Sequence, residues 1–281
     1  MSTPQQPPTQ TPVPQAAPGA SYAAAYTSPI PVTRTHLGHA LASEWTKIKS
    51  VRSTMWTLGV FLVLVIGIGL LVAAQTTNED FGDVPYTIPA FFGLILGQIC
   101  LITLGVLVIS SEYGTGMIRT TFTASPQRHR VLAAKLIIFF AVAFVVSAFA
   151  IGFVGLATES MHSGDGGKAW GGTVVMGALY VSLLGTLALA VGSMLRHSAG
   201  AITTMLGLVL VPAILPAFLL MSESMRTIGE KMLDYNAPNA LAKIFGLDDE
   251  NAAGGAQLGL LAGVTAAAIV GAFVLLDRRD V

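Results

Sequence analysis

The chain has 281 residues, of which 53% are hydrophobic and only 11% charged, and its mean hydropathy is +0.70. Too few ionisable groups remain to clothe a soluble globule of this length, so composition excludes an ordinary water-facing protein and implies a polytopic membrane protein. Fifteen bases balance fifteen acids, so no global field advertises nucleic acid, and the single cysteine, Cys100, excludes an intrachain disulfide framework.

Residues 1–35 hold most of the prolines together with Gln, Thr and Ala. Such a stretch cannot bury enough apolar surface to offset chain entropy, and it reads as a disordered cytoplasmic tail without the basic start and apolar core of a secretory signal. Over 36–55 the pattern changes. Leu37, Leu41, Trp45, Ile48, Val51 and Met55 recur at spacings of three and four, while Glu44, Lys47, Lys49 and Arg52 fall between them. This predicts an amphipathic helix in the headgroup region, with Trp45 and Trp56 as interfacial anchors and the bases toward anionic lipid.

Residues 56–281 contain six apolar runs, near 56–74, 88–109, 131–157, 171–194, 200–221 and 257–276. Each approaches the roughly 20 residues that a helix needs to cross the hydrocarbon core, and continuous runs without alternation favour helices over a barrel. The predicted fold is therefore all-α, with six transmembrane helices. With the N-terminus placed inside, eleven of the fifteen Lys and Arg fall on the inner side, which puts both termini in the cytoplasm of a multi-pass plasma-membrane protein. On the outer side, 76–86 carries Glu79, Asp80 and Asp83, 158–170 is glycine-rich, and 222–256 is long enough to hold short helices.

Chemistry within the runs is sparse. They read as free of Asp, Glu, Lys, Arg and His away from their ends, which disfavours a proton-coupled carrier, an intramembrane protease or a membrane metalloenzyme. The stretch 163–170, SGDGGKAW, lacks the upstream glycine and the final Ser or Thr of a phosphate loop, so no nucleotide-hydrolysing motif and no catalytic residue are assigned. Gln98 is the most polar mid-run residue, and it either lines a pathway or bonds a neighbouring helix. Pro212 and Pro216 interrupt the fifth run, and a kink there would shape a cavity. Gly93/Gly97 and Gly259/Gly263 each permit close helix approach, within the chain or between subunits.

The segment 110–135, SSEYGTGMIRTTFTASPQRHRVLAAK, stands apart. It carries Arg119, Arg128, Arg130 and Lys135 against one acid, Glu112. Gly114 and Gly116 loosen the chain, Ser125-Pro126 reads as a helix start, and Met117, Ile118 and Phe122 are expected to be exposed on a short piece between two spans. Bases alone make a topology signal, whereas exposed apolar side chains beside an arginine suit a groove on a soluble partner.

Three stretches together carry a family resemblance: SEWTKIKSVRSTMWTL before the first run, SEYGTGMIRTTFTASPQRHRVLAAK between the second and third, and LRHSAGAITTMLGLVLVPAILP at the fifth. From about Gly38 to Val281 the chain resembles the membrane subunits of type-2 ABC exporters, particularly actinobacterial ones. The resemblance implies a permease domain with a cytoplasmic coupling loop over 110–130 and outer re-entrant helices over 222–256. It implies a homodimer, or a heterodimer with a second permease, served by separate ATP-binding subunits that hold ATP and Mg, so that this chain carries no cofactor. It further implies ATPase contacts at Glu112, Tyr113, Thr115, Gly116, Met117, Arg119 and Thr120, and a connecting helix bearing Trp45, Lys47 and Arg52. The expected function is export of a drug, antibiotic or lipid-like substrate by a non-catalytic subunit. The alternative is a membrane anchor or assembly protein that transports nothing and recruits a soluble factor through the basic loop.

Overall fold

A computed structural model describes residues 36–77, 85–124, 127–162, 170–247 and 254–279. The tail over 1–35, the acidic residues Glu79, Asp80 and Asp83, the Ser125-Pro126 pair and the glycine-rich 163–169 lie outside the described residues. Among the described residues the chain is all-helical. Six helices are long and apolar enough to cross a membrane: α2 (Arg52–Gln75), α3 (Ile88–Gly114), α5 (Arg128–Met161), α6 (Gly171–Leu195), α7 (Ser198–Ile214) continued by the single turn α8 (Pro216–Leu219), and α11 (Gly255–Arg278). Helix α1 (Leu37–Ser50) precedes them, α4 (Met117–Ala124) links α3 to α5, and α9 (Arg226–Tyr235) and α10 (Ala237–Ile244) lie between α8 and α11.

The ends of these helices follow from local chemistry. Helix α1 stops where the Ser50 hydroxyl and the Val51 N–H both donate to the Lys47 carbonyl, and Val51 turns extended before α2 begins. Helix α6 ends at Arg196, which takes the left-handed conformation (φ 54°) more often given to glycine or asparagine. That reversal permits the abrupt entry into α7, whose N-cap His197 accepts the Gly200 N–H through Nδ1. Helix α10 is capped by the Asn236 side chain, which accepts the Asn239 N–H at 2.8 Å, with a proline in its first turn. In the fifth span, Pro212 stays within α7 and the break falls at Leu215, ahead of Pro216.

Helices α3 and α6 form the centre of the bundle, and α2, α5, α7 and α11 pack around them. Glycines set the closest approaches. A Cβ on Gly93 would lie 2.6 Å from the Val65 Cα, and one on Gly97 would lie 2.8 Å from a Val65 methyl. The Gly93/Gly97 pair is therefore used inside the chain, to seat α3 on α2, and is not free for a subunit contact. Gly93→Val is expected to cost at least about 1–3 kcal/mol, because backbone rather than a movable side chain blocks the added atoms. Broadened elution and a lower melting temperature in detergent are the expected readouts, and wild-type behaviour would refute this packing.

The ends of the bundle differ in charge. The basic end holds the start of α2, the end of α3, α4, the start of α5 and the turn from α6 to α7, with Lys47, Lys49, Arg52, Arg119, Arg128, Arg130, Lys135 and Arg196. The opposite end carries α8 to α10.

Candidate functional site

The site lies at the basic end, where α1, α3, α4 and α5 converge. Helix α3 continues through Glu112 and Tyr113 to Gly114, a full turn beyond its last long apolar stretch. Gly116 then adopts φ +73°, a conformation that a side chain would oppose, and its carbonyl accepts the Arg119 N–H as α4 begins. Ile118 and Phe122, four residues apart, share one face of α4. Ile118 is 2% exposed and Phe122 packs against the core. The expectation that Met117, Ile118 and Phe122 all face solvent is corrected here: only Met117, 51% exposed, does so. The physical reason is that an eight-residue amphipathic helix gains most by laying its apolar face on the open end of the bundle. Arg128 then stacks its guanidinium over the Phe122 ring at 5.4 Å. Helix α5 begins at Arg128 with Gln127 at the N-cap position, two residues beyond the Ser125-Pro126 start expected from sequence.

Beneath this surface four charged side chains form a closed ring. The Lys135 Nζ donates to Glu44 Oε2 at 2.6 Å and to Glu112 Oε1 at 2.9 Å. The Lys47 Nζ donates to Glu44 Oε1 at 2.7 Å and to Glu112 Oε1 at 3.0 Å. Acid and base alternate around the ring, so it is neutral, and it joins α1 to both α3 and α5. Lys135, Glu44 and Glu112 are 2%, 4% and 6% exposed. The reading that the spans carry no ionisable group away from their ends therefore needs correction at Lys135, which lies two turns inside α5 and wholly buried. Its signal was present: a single lysine within VLAAKLIIFF needs a partner, and nothing local supplies one.

Sequence reasoning also missed Glu44. It was set among the polar residues between the apolar ones, whereas the buried face of α1 is Glu44 and Ile48, packed against α5 and α2, with Leu37 and Trp45 exposed. Burial acts to lower the Lys47 ammonium, yet the hydrogen bond and charge of Glu44, and then of Glu112, outweigh it and hold the group above its ordinary value. For a base, a raised folded-state value means stability that is fully present at low pH and is lost only as pH rises through that value, above about 10.4. Lys47→Met is thus expected to leave the slope of stability against pH unchanged between about pH 6 and pH 9. A change of slope in thermal unfolding over that window would contradict the assignment.

The remaining predicted residues divide by environment. Tyr113 is half-buried under the Arg196 guanidinium, 5.0 Å from its ring centre. Thr115 donates its hydroxyl back to the Ser111 carbonyl at 2.8 Å, and Thr115, Gly116, Arg119 and Thr120 are exposed around α4. Glu112 is not among them: its carboxylate turns inward, with Oε1 on two lysines and Oε2 buried without a partner. On the first helix, Trp45 is exposed with the Lys49 ammonium 4.7 Å from its ring, Arg52 is exposed, and Lys47 sits in the ring. Gln98 is buried in α3, its Nε2 donating to the Ile95 carbonyl at 3.1 Å and its Oε1 unpartnered. It, Pro212 and Pro216 are remote from the clefts of the basic end, whose walls include none of them. Among the described residues no group of three or more His, Cys, Asp or Glu could hold a metal ion.

The fold places this chain in the class of helical proteins with six membrane-spanning candidates and a charged, structured end. No protein-family model matches it, and no curated protein matches it.

Proposed function

We propose that this chain is the transmembrane subunit of an ABC exporter, with its basic end and both termini in the cytoplasm of the plasma membrane. The observation that carries the reading is the buried ring of Glu44, Lys47, Glu112 and Lys135, which ties the amphipathic α1 and the α4-bearing end of α3 to α5. A displacement applied to α4 from below would pass into α3 and α5 and, through the ring, into α1. A short helix clamped between two spans, with Thr115, Gly116, Arg119 and Thr120 facing outward, suits a cleft on a soluble partner. In this reading the partner binds ATP and Mg, its closure moves α4, and the membrane part changes access because the two states make different contacts. The cationic surplus at this end supports the orientation. Two copies, or one copy and a second permease, would enclose a path for an apolar or amphiphilic substrate.

The test is Arg119→Glu in cells that also express the ATP-binding subunit. Copurification and ATP-dependent export should both fall by at least about tenfold while the melting temperature of the purified chain stays put, since Arg119 is exposed. Full assembly and export with Arg119→Glu would remove α4 as the coupling element. Assembly without any export by the parent would favour an anchoring protein instead.

A further inference from the structure

The turn from α6 to α7 holds the one non-glycine residue with positive φ among the described residues. Arg196 adopts φ 54° and ψ 14°, where the Cβ crowds the following carbonyl, and such a conformation persists only where the surroundings impose it. We propose that Arg196 is the joint on which α7 pivots, and that Tyr113 at the end of α3 latches it. The latch stands on local geometry, and its use in export rests on the function proposed above.

The contacts of the Arg196 side chain join three helix ends. Its guanidinium lies 5.0 Å from the Tyr113 ring centre, within cation–π range. Its Nη2 donates to the Arg279 carbonyl at 3.4 Å, and Arg279 Nη1 donates to the Met194 carbonyl, in the last turn of α6, at 3.0 Å. The ends of α3, α6 and α11 are thereby held around one strained residue. Tyr113 is also next to the coupling element. It borders the same small void as Ile118 and Phe122 of α4, and it precedes Gly114 and Gly116, where the chain turns into α4. A displacement of α4 therefore enters α3 at the latch.

What the latch controls follows from the packing around it. Helices α3 and α6 are seated backbone to backbone: a Cβ on Gly192 would lie 3.2 Å from the Val106 Cα, and one on Gly105 would clash with the Gly185 carbonyl oxygen. Such a close-packed seam resists sliding. Helix α7 has no comparable seat. It buries only Ala201, Met205 and Val209, a single stripe at intervals of four, and a Cβ on Gly207 would meet nothing. Its far end is broken at Leu215, ahead of Pro216. Helix α7 is thus a short rod between two joints, lying against a fixed pair. Released from Tyr113, Arg196 relaxes out of the left-handed region. The start of α7, where His197 accepts the Gly200 N–H at 3.1 Å and the Ala201 N–H at 3.0 Å, then loses its placement.

The experiment follows amide exchange over 197–205 in the purified full-length chain in nanodiscs. Tyr113→Ala should speed exchange there at least about fivefold and leave the α3–α6 seam unchanged. Two substitutions separate strain from latch. Arg196→Gly removes the guanidinium and the strain together, whereas Arg196→Ala removes only the guanidinium, so the alanine variant should exchange about 5–30-fold faster than the glycine variant. Adding Tyr113→Ala to Arg196→Gly should change nothing further. Unchanged exchange in Tyr113→Ala overturns the latch, and equal exchange in the two Arg196 variants overturns the strained joint. In cells that also express the ATP-binding subunit, Tyr113→Ala should lower export at least about fivefold. Parental export despite faster exchange would remove the latch from transport. Absence of export in the parent itself would sink the exporter reading, and the exchange data alone would then decide the latch.

Discussion

Lys135→Met is expected to lower the stability of this chain by about 3–5 kcal/mol, the largest single-residue effect at the basic end. The mutation keeps the length and apolar stem of the side chain but removes the cation that Glu44 and Glu112 share at 2.6 and 2.9 Å. Two buried carboxylates then face one another with only Lys47 between them, and Lys47 is the partly solvated member, with 26% of its side chain exposed. The double variant Lys135→Met/Glu112→Leu provides the control. It deletes one charge of each sign, leaves the Glu44–Lys47 pair intact, and should recover most of the loss, giving a coupling energy of up to about 3 kcal/mol. Reversible unfolding in mixed micelles of the parent, the two single variants Lys135→Met and Glu112→Leu, and the double variant would measure the cycle. Additive losses in the double variant would show that the ring is not an energetic unit.

Glu112→Gln is the second large effect, and it separates two roles that the sequence left merged. If Glu112 touched a partner, the amide would weaken assembly and leave the isolated chain unchanged. Because Glu112 is only 6% exposed and its carboxylate accepts from two lysines, the structure gives the opposite expectation. Losing charge on the acceptor of two charge-assisted bonds should destabilise the isolated chain by about 1.5–3 kcal/mol. Amides of α1 should then exchange at least about tenfold faster, since α1 meets the rest of the bundle chiefly through this face and α5. If the chain is the exporter subunit proposed above, export would fall with the loss of order in α1. On that same proposal, Arg119→Glu should show the reverse pattern, with export lost and α1 protection kept. Unaltered exchange in Glu112→Gln would return Glu112 to the list of direct contacts.

Much of the helical scaffold was legible from the chain alone because its signals are local. An apolar run of about 20 residues has one backbone solution in lipid, and turn residues and charge counts mark where such runs stop. The short helices over Arg226–Tyr235 and Ala237–Ile244 likewise lie within 222–256, the segment whose length left room for them. The candidate site was legible only in part. The stretch 110–135 announced itself by composition, but which of its residues point inward did not follow from spacing. Ile118 and Phe122 form an apolar face equally suited to a partner or to the bundle beneath, and only the bundle's open end decides between them.

What the sequence by itself determined, then, is the membrane-like composition, the number and approximate bounds of the long apolar helices, and the uneven distribution of bases among the connecting segments. Those properties depend on residue type and short-range periodicity. The tertiary structure alone decided that Glu44, Lys47, Glu112 and Lys135 belong together, that Gly93 seats α3 on α2, and that α1 turns a charged face inward. Glu44 and Lys135 are 91 positions apart, and Lys47 and Glu112 are 65. A buried lysine demands a counter-charge, but nothing in its neighbourhood along the chain says which distant acid will provide it; packing three helices at one end of the bundle does.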